Sequence, residues 1–268
     1  IYSRFSNPTV AMFEERMALL ENAQACRSTG TGMAAVNAAL SSSVKAGDRL
    51  VASKALFGSC DYICRELLPK FGIETTMVNG TNLAEWEAAL DKPTAVVFME
   101  TPSNPQMDII DLERVSNLAH KVGARVIVDN VLATPILQRP LDFGADVVVY
   151  SSTKHIDGQG RAMGGCILTN DVDWSDGNLK QFMRHTGPSL SPFNAWVHLK
   201  SLETLEIRVR HHCRSAQKVA EFLERQKIIT KVLFPGLKSH PQYGLAQKQM
   251  NGPGTVICFE LKGDMADT

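Results

Sequence analysis

The sequence predicts an α/β protein built on a mostly parallel sheet, followed by a long helix and the start of a smaller α/β domain. Two observations predict this fold class. Up to about residue 170, short β-rich runs alternate with segments of helical periodicity, an order typical of parallel strands joined by crossover helices. Near Ser191 the alternation gives way to one long amphipathic pattern. In such a sheet we expect the ligand site at the carboxyl ends of the strands.

Five runs are the predicted strands of the large sheet. Some of them are apolar without alternation, as in Ala95-Val96-Val97-Phe98, which is typical of strands covered by helices on both faces. The predicted strands are Arg49 to Ser53, Ile73 to Val78, Thr94 to Met99, Arg125 to Asp129 and Asp146 to Tyr150.

The clearest helix between these strands follows Asp111. Asp111 is a good N-cap and Gly123 lies just beyond the last apolar residue, so the two residues bracket the predicted helix. Its buried stripe is formed by Leu112, Val115, Leu118, Ala119 and Val122.

A much longer helix is predicted to begin at Ser191-Pro192, a good N-cap and N1 pair. Apolar residues in steps of three and four predict one continuous helix of about 30 residues. They are Leu199, Leu202, Leu205, Val209, Cys213, Ala216, Ala220 and Leu223.

This helix divides the chain into a predicted large domain, 1–190, and a second part, 191–268. The second part would hold the linking helix and the first strands of a C-terminal α/β domain, at Thr230 to Leu233 and Thr255 to Leu261. The chain begins without Met and stops before that domain could close. We therefore expect an internal piece of a longer protein.

The composition narrows the classes of function. The 28 basic and 28 acidic residues give a net charge of zero, which removes the broad electrostatic reason for binding nucleic acid or an anionic membrane. No apolar stretch approaches the roughly 18 to 20 residues of a spanning helix. The six cysteines form no CxxC pair, so we expect no metal site. Reduced thiols without an export signal favour the cytoplasm.

The densest chemical pattern is Tyr150-Ser-Ser-Thr-Lys-His155. A strand runs into small hydroxyl residues that can bind a phosphate, and then into Lys154. This order suits a lysine that forms a Schiff base with pyridoxal phosphate (PLP). The alternative is a surface lysine on a loop.

Asp129 ends the predicted strand Val126-Ile-Val-Asp129. A buried carboxylate needs a partner because an unpaired buried charge is unfavourable. The protonated ring nitrogen of PLP would be that partner. The alternative is an aspartate that caps the next helix.

A glycine-containing turn, Ser28-Thr-Gly30-Thr-Gly32-Met33, opens a helix. The free N–H groups at a helix start suit a phosphate. Such turns also occur in dinucleotide-binding proteins, but Ala35 stands where their third glycine belongs. The turn, the strand-end acid and the lysine follow one another in the order that a PLP site requires.

Five groups of residues, in succession, then resemble a known family. They are Tyr2-Ser-Arg4 with Asn7-Pro8-Thr9, Thr31-Gly32-Met33-Ala34-Ala35, Glu100-Thr-Pro-Ser-Asn104-Pro105, Val128-Asp129-Asn130 with Ala133-Thr134-Pro135, and Ser151-Ser-Thr-Lys154. This ordered set resembles the trans-sulfuration, or Cys/Met-metabolism, family of fold-type I PLP-dependent transferases. Pro188 to Leu205 and Pro235 to Pro241 extend the resemblance over essentially the whole chain.

The resemblance implies roles for the candidate residues. Lys154 would form the internal aldimine and shuttle protons, and Asp129 would pair with the pyridine nitrogen. The phosphate would be held by the backbone N–H groups of Gly32 and Met33 and by Ser151 and Thr153.

The resemblance also implies residues around the ring and across a subunit interface. Asn104 would lie near the ring hydroxyl. Phe57 stands where many members have a tyrosine stacked on the ring, so an acid–base role of that hydroxyl has no equivalent here. Tyr2 and Arg4 would reach the phosphate of the neighbouring subunit. Two chains would then build each site, in a homodimer or homotetramer.

Within the family, His155-Ile-Asp-Gly-Gln-Gly-Arg161, Phe57-Gly-Ser and Asp129-Asn-Val look most like O-succinylhomoserine sulfhydrylases. The implied reaction is a γ-replacement with an O-acylhomoserine and sulfide as substrates, forming homocysteine in methionine biosynthesis. Arg161 would hold the dicarboxylic leaving group or serve a structural role. The alternatives are a cystathionine γ-synthase, a methionine or cystathionine γ-lyase, a non-catalytic relative and, from another class, a nucleotide-binding oxidoreductase.

Overall fold

The computed structural model describes residues 2–263. Seven strands form the main sheet, and β8 and β9 pair in a separate small sheet. The strands are β1 (Ala25–Thr29), β2 (Arg49–Ser53), β3 (Glu74–Val78), β4 (Val96–Glu100), β5 (Arg125–Asp129), β6 (Val147–Ser151), β7 (Gly165–Thr169), β8 (Ile229–Leu233) and β9 (Cys258–Leu261).

Helices precede the sheet, connect its strands and follow it. They are α1 (Pro8–Glu21), α2 (Gly32–Ser41), α3 (Gly58–Tyr62), α4 (Leu83–Ala89), α5 (Leu112–Lys121), α6 (Thr134–Leu137), α7 (Val172–Trp174), α8 (Lys180–Thr186), α9 (Pro192–Leu202), α10 (Leu205–Glu224) and α11 (Tyr243–Gln249). Shorter 3₁₀ or π turns occupy Ile63–Leu67, Leu68–Phe71, Pro140–Phe143 and Ser175–Leu179.

The five predicted strands are confirmed as β2 to β6, and they are mutually parallel in the order β6-β5-β4-β2-β3. Helices cover both faces of the sheet. Val97 and Met99 of β4 pack into one core, and Val96 and Phe98 pack into the other. Burial on both faces explains why these strands are apolar without alternation.

Two strands were not predicted. β1 (Ala-Cys-Arg-Ser-Thr) and β7 (Gly-Cys-Ile-Leu-Thr) pair with each other antiparallel, and β7 also pairs antiparallel with β6. β1 ends in three polar residues, and the short apolar run of β7, Cys166 to Leu168, lies between a glycine and a threonine. The sheet is therefore mostly parallel, with an antiparallel edge.

The prediction of one helix of about 30 residues after Ser191 is wrong in detail, because α9 and α10 are separate helices. Thr204 between them has φ −116° and ψ 5°, outside the helical region. The Arg208 Nη2 donates to the carbonyl oxygen of Ser201 at 3.0 Å and its Nε donates to Thr204 Oγ1 at 3.1 Å. An arginine side chain thus takes a carbonyl that a continuous helix would use. The apolar spacing of three between Leu202 and Leu205 continues across the break, so the hydrophobic periodicity of the sequence could not reveal that the helix is interrupted.

α10, β8 and the turn that follows β8 form a small separate core of Ala216, Ala220, Val232, Phe234 and Leu237. The division into 1–190 and 191–268 stays a prediction, and residues 264–268 of its second part lie outside the described residues. Within the described range, no helix combines the length and apolar character needed to span a bilayer.

A buried polar cluster joins α1 to the sheet. Glu21 is fully buried and accepts a hydrogen bond from the hydroxyl of Tyr150, which in turn accepts one from Asn130 Nδ2 at 2.6 Å. Burial raises the pKa of Glu21 to about 8. Because Glu21 binds its proton more tightly in the folded chain than in the unfolded one, the folded state loses stability as the pH rises from about 4.5 to about 8.

We therefore predict that Glu21→Gln flattens the pH dependence of stability. The neutral amide removes a decline of at most about 1.4 kcal/mol per pH unit. Urea unfolding at several pH values measures this effect. The free energy of unfolding of the variant should rise relative to that of the unsubstituted protein as the pH increases from 5 to about 8. A difference that is constant with pH would contradict a buried, protonated Glu21.

Candidate active site

The carboxyl ends of β4, β5 and β6 and the start of α2 meet at one edge of the sheet. Gly32, the first residue of α2, lies against Ser151, the last residue of β6. A Cβ atom at Gly32 would lie 2.7 Å from Ser151 Oγ and would overlap Ser151 Cβ. Only a glycine lets the helix approach the strand this closely. The fold thus brings together the turn and the lysine segment that the sequence singled out.

The first turn of α2 offers free backbone donors. Thr31 is the N-cap: its Oγ1 accepts from Ala34 N at 3.0 Å and its carbonyl oxygen from Ala35 N at 3.2 Å. Among the described residues, the N–H groups of Gly32 and Met33 have no hydrogen-bond acceptor. Two free N–H groups at the start of a ten-residue helix are suited to an anionic phosphate.

Thr153, predicted to bind the phosphate, has its hydroxyl engaged elsewhere. Its Oγ1 donates to the carbonyl oxygen of Gly164 at 3.3 Å and accepts from Gly164 N at 3.2 Å. A phosphate oxygen only accepts hydrogen bonds, so the Thr153 proton would have to leave Gly164 to reach it. Here the two bonds to Gly164 close the segment that contains Lys154, and the contact of Thr153 with the phosphate stays a prediction.

Asp129 ends β5 and is 7 % exposed. Its Oδ1 accepts from Val131 N at 3.0 Å, and burial raises its pKa. The next helix, α6, has Ala133 at its N-cap and no side-chain cap, so Asp129 is not its capping residue. A buried carboxyl with a raised pKa at a sheet edge is suited to pair with a cationic ring.

Lys154 lies in the loop after β6, and its side chain is exposed. Two carbonyl groups just beyond it are held by Arg208 of α10, whose Nη1 donates to His155 O at 2.7 Å and whose Nη2 donates to Ile156 O at 3.2 Å. Gly158 has φ +73°, and a Cβ atom there would overlap the Arg208 guanidinium. One arginine therefore connects the lysine loop to the break between α9 and α10.

Arg161 is also engaged within the chain. Its Nε donates to Asp157 Oδ1 at 3.2 Å, and its Nη2 donates to Ser201 Oγ at 2.6 Å. Of the two roles that the sequence left open, these contacts favour the structural one.

Phe57 and Asn104 lie on loops that meet at Glu100, a residue that the sequence analysis did not select. The Phe57 N–H donates to Glu100 Oε2 at 2.6 Å, and the backbone N–H of Asn104 lowers the pKa of this carboxyl group against the larger effect of burial. Glu100 and Asp129 are register partners at the ends of β4 and β5. The available signal was an acid ending a buried strand, the same feature that identified Asp129.

Tyr2 and Arg4 do not join this cluster within one chain. Arg4 Nη1 donates to Arg184 O at 2.6 Å, and its guanidinium lies 5.2 Å from the Tyr2 ring centroid and 4.7 Å from that of Phe5. Tyr2 is 61 % exposed. The predicted role of both residues in a neighbouring subunit stays a prediction.

The residues that the fold brings together fit a PLP molecule. The α2 amides and the space left by Gly32 suit its phosphate, buried Asp129 suits its ring nitrogen, and Lys154 provides an amine on a fixed loop. Within residues 2–263, no group of three or more His, Cys, Asp or Glu side chains is arranged to hold a metal ion.

We predict that Arg208→Ala loosens the lysine loop. Losing charge-assisted hydrogen bonds to two carbonyl groups should lower the free energy of unfolding by about 1–3 kcal/mol. It should also speed amide hydrogen exchange in the segment 152–164. The matched control is Arg214→Ala, which removes an exposed arginine of the same helix. Equal exchange in this segment for both variants would argue against the connection.

Comparisons with known proteins agree with a PLP site in this chain. A family model described as Cys/Met metabolism PLP-dependent enzyme matches residues 1–268. The chain is 55 % identical over 261 residues to the O-succinylhomoserine sulfhydrylase of Mycobacterium tuberculosis, covering 97 % of this chain and 64 % of that protein. It is 42 % identical over 264 residues to the L-methionine gamma-lyase of Porphyromonas gingivalis, covering 98 % and 66 %.

Among solved structures, the cystathionine gamma synthase of Xanthomonas oryzae pv. oryzae, in complex with aminoacrylate and cysteine, matches with a TM-score of 0.96. The sequence identity is 37 %, over 99 % of this chain and 68 % of that one. The chain thus spans just under two thirds, 64 %, of the length of the sulfhydrylase.

Proposed function

The chain belongs to the Cys/Met metabolism family of PLP-dependent enzymes, and we propose that the protein is an O-succinylhomoserine sulfhydrylase. In the proposed reaction, the bond between Cγ and the succinyl oxygen breaks and a bond between Cγ and sulfur forms. The substrates O-succinylhomoserine and hydrogen sulfide become homocysteine and succinate, a step of methionine biosynthesis. The observation that carries the proposal is the 55 % identity to a protein of that name.

When bound, PLP supplies an electron sink for negative charge at the substrate carbons. Lys154 Nζ would bind the cofactor and move the proton at the substrate Cα. The Asp129 carboxylate would hold the ring nitrogen in its protonated state. The Gly32 and Met33 amides, with Ser151 Oγ, would bind the phosphate and fix its position at the start of α2.

Phe57 would stack on the ring, and Asn104 would lie beside the ring hydroxyl. Because a benzyl side chain has no ionisable group, proton movement would depend on Lys154 alone among these residues. We further propose that residues 1–190 form the cofactor domain and that 191–268 begin the second domain. Tyr2 and Arg4 would complete the site of a second subunit.

A second candidate function is the activity named for the other relatives, that of a γ-lyase or of a cystathionine γ-synthase. The 42 % identity to a methionine gamma-lyase and the 37 % identity to a cystathionine gamma synthase support it. The three activities differ in the step after the γ-substituent is lost: sulfide adds, cysteine adds, or no sulfur acceptor is used.

The full-length protein distinguishes these candidates in one experiment. It is supplied with O-succinylhomoserine or O-acetylhomoserine, each with sulfide, with cysteine or with no acceptor, and the products are quantified by mass spectrometry. We predict homocysteine from the succinyl ester and sulfide as the main product, formed at least about tenfold faster than cystathionine or 2-oxobutyrate, because one transition state is bound best. A dominant 2-oxobutyrate product would instead identify a lyase.

Lys154→Ala is the control for this experiment. It should abolish turnover and the visible absorbance of the bound cofactor, because no other amine among the proposed site residues is available. Retention of both would contradict the assignment of Lys154.

We also predict complementation between two variants of the full-length chain, assayed at a PLP concentration too low for Arg4→Ala alone to be active. Arg4→Ala should weaken cofactor binding, because Ala cannot replace an arginine–phosphate contact. Refolding Arg4→Ala chains with Lys154→Ala chains should restore activity to about a quarter of the unsubstituted level at most, since one of the two sites in each hybrid dimer has both residues and random pairing makes half of the dimers hybrids. Hybrid dimers without activity above either parent would disprove a shared site.

A further inference from the structure

Glu100 lies at the centre of the candidate site and has an unused oxygen atom. It is the last residue of β4, beside Asp129 of β5, and only 1 % of it is exposed. Its Oε2 accepts the Phe57 N–H at 2.6 Å. Its Oε1 is buried without a hydrogen-bond partner in the part of the chain that the structure describes.

We propose that Glu100 is a positioning residue that acts through Phe57. In its neutral form it anchors the Phe57 backbone to the end of β4 and leaves Asp129 as the one negative charge beside the cofactor ring. The proposal deepens the proposed function, because it rests on the cofactor roles given there to Phe57 and Asp129.

The anchor matters because little else holds the aromatic ring. Phe57 is 44 % exposed, so packing covers only part of it. Its carbonyl oxygen accepts from Cys60 N at 2.8 Å and Asp61 N at 3.0 Å, which joins it to α3. Its N–H bond to Glu100 joins it to the sheet edge. Without this bond the ring keeps its connection to α3 but loses its connection to the strand that ends beside Asp129.

The neutral form follows from the surroundings of the carboxyl group. Burial raises the pKa of Glu100, and the neighbouring Asp129 charge raises it further. On α3, burial raises the pKa of the Cys60 thiol, and the two acids add to the rise, so Cys60 stays neutral beside them. No ion pair to Glu100 occurs among residues 2–263. Of two adjacent buried acids, one keeps its proton.

The test compares Glu100→Gln with Glu100→Ala in the full-length protein. Gln is neutral and its amide oxygen can accept the Phe57 N–H, so PLP affinity should stay within about twofold of the unsubstituted value. Ala removes the acceptor of this part-buried N–H, so affinity should fall roughly tenfold. The circular dichroism of bound PLP should change with Ala and not with Gln, because this signal reports the surroundings of the ring. Glu21→Gln, at a buried acid outside the site, is the matched control.

A double-mutant cycle tests the route through Phe57. If Glu100 acts by placing the ring, Glu100→Ala should weaken PLP binding in a Phe57→Ala background by less than about twofold. An equal loss in both backgrounds would overturn the proposal, as would a Gln variant that binds PLP as weakly as the Ala variant.

A pH series keeps the proposal testable if the Ala variant does not fold. Without cofactor, a neutral buried Glu100 makes the protein lose stability as the pH rises above the ordinary carboxyl range. Glu100→Gln should remove part of this loss, and a Gln variant with an unchanged pH profile would overturn the proposal. These measurements use PLP alone or no ligand. Failure of the sulfide assay would therefore leave their outcome intact and would count only against the proposed reaction.

Discussion

The close approach of α2 to the end of β6 is the constraint on which the rest of the site depends. Gly32 lies so near Ser151 that any side chain at position 32 would overlap it. This approach aims the free N–H groups of the helix at the same sheet edge where Asp129 and Lys154 stand. Backbone donors and a helix dipole at that edge are suited to an anion.

Burial of acids is the second feature that shapes the molecule. Glu21, Glu100 and Asp129 are each less than a tenth exposed, and each has a raised pKa because burial disfavours its charged form. Glu21 serves the contact between α1 and the sheet through Tyr150. Glu100 and Asp129 lie side by side at the carboxyl-terminal edge of the sheet, where, as we propose, a cationic ring would pair with Asp129 while Glu100 stays neutral.

Arginine side chains connect the lysine loop to the helices after the sheet. Arg208 bonds to two carbonyl groups beyond Lys154 and to Ser201 at the end of α9, while Arg161 bonds to Asp157 and Ser201. Ser201 is therefore a common anchor for the loop and for the break between α9 and α10.

The sequence by itself determined the parallel core and the order of the chemical groups. Apolar strands buried on both faces, an acid at the end of one and a lysine after another are local patterns, and parallel topology places strand ends together. Only the tertiary structure decided what depends on distant partners. The pairing of β1 with β7 and of β7 with β6 adds the antiparallel edge, Arg208 bonds across the break before α10, and Thr153 bonds to Gly164. Glu100 became visible as a site residue because strand register placed it beside Asp129, a contact between residues far apart in sequence.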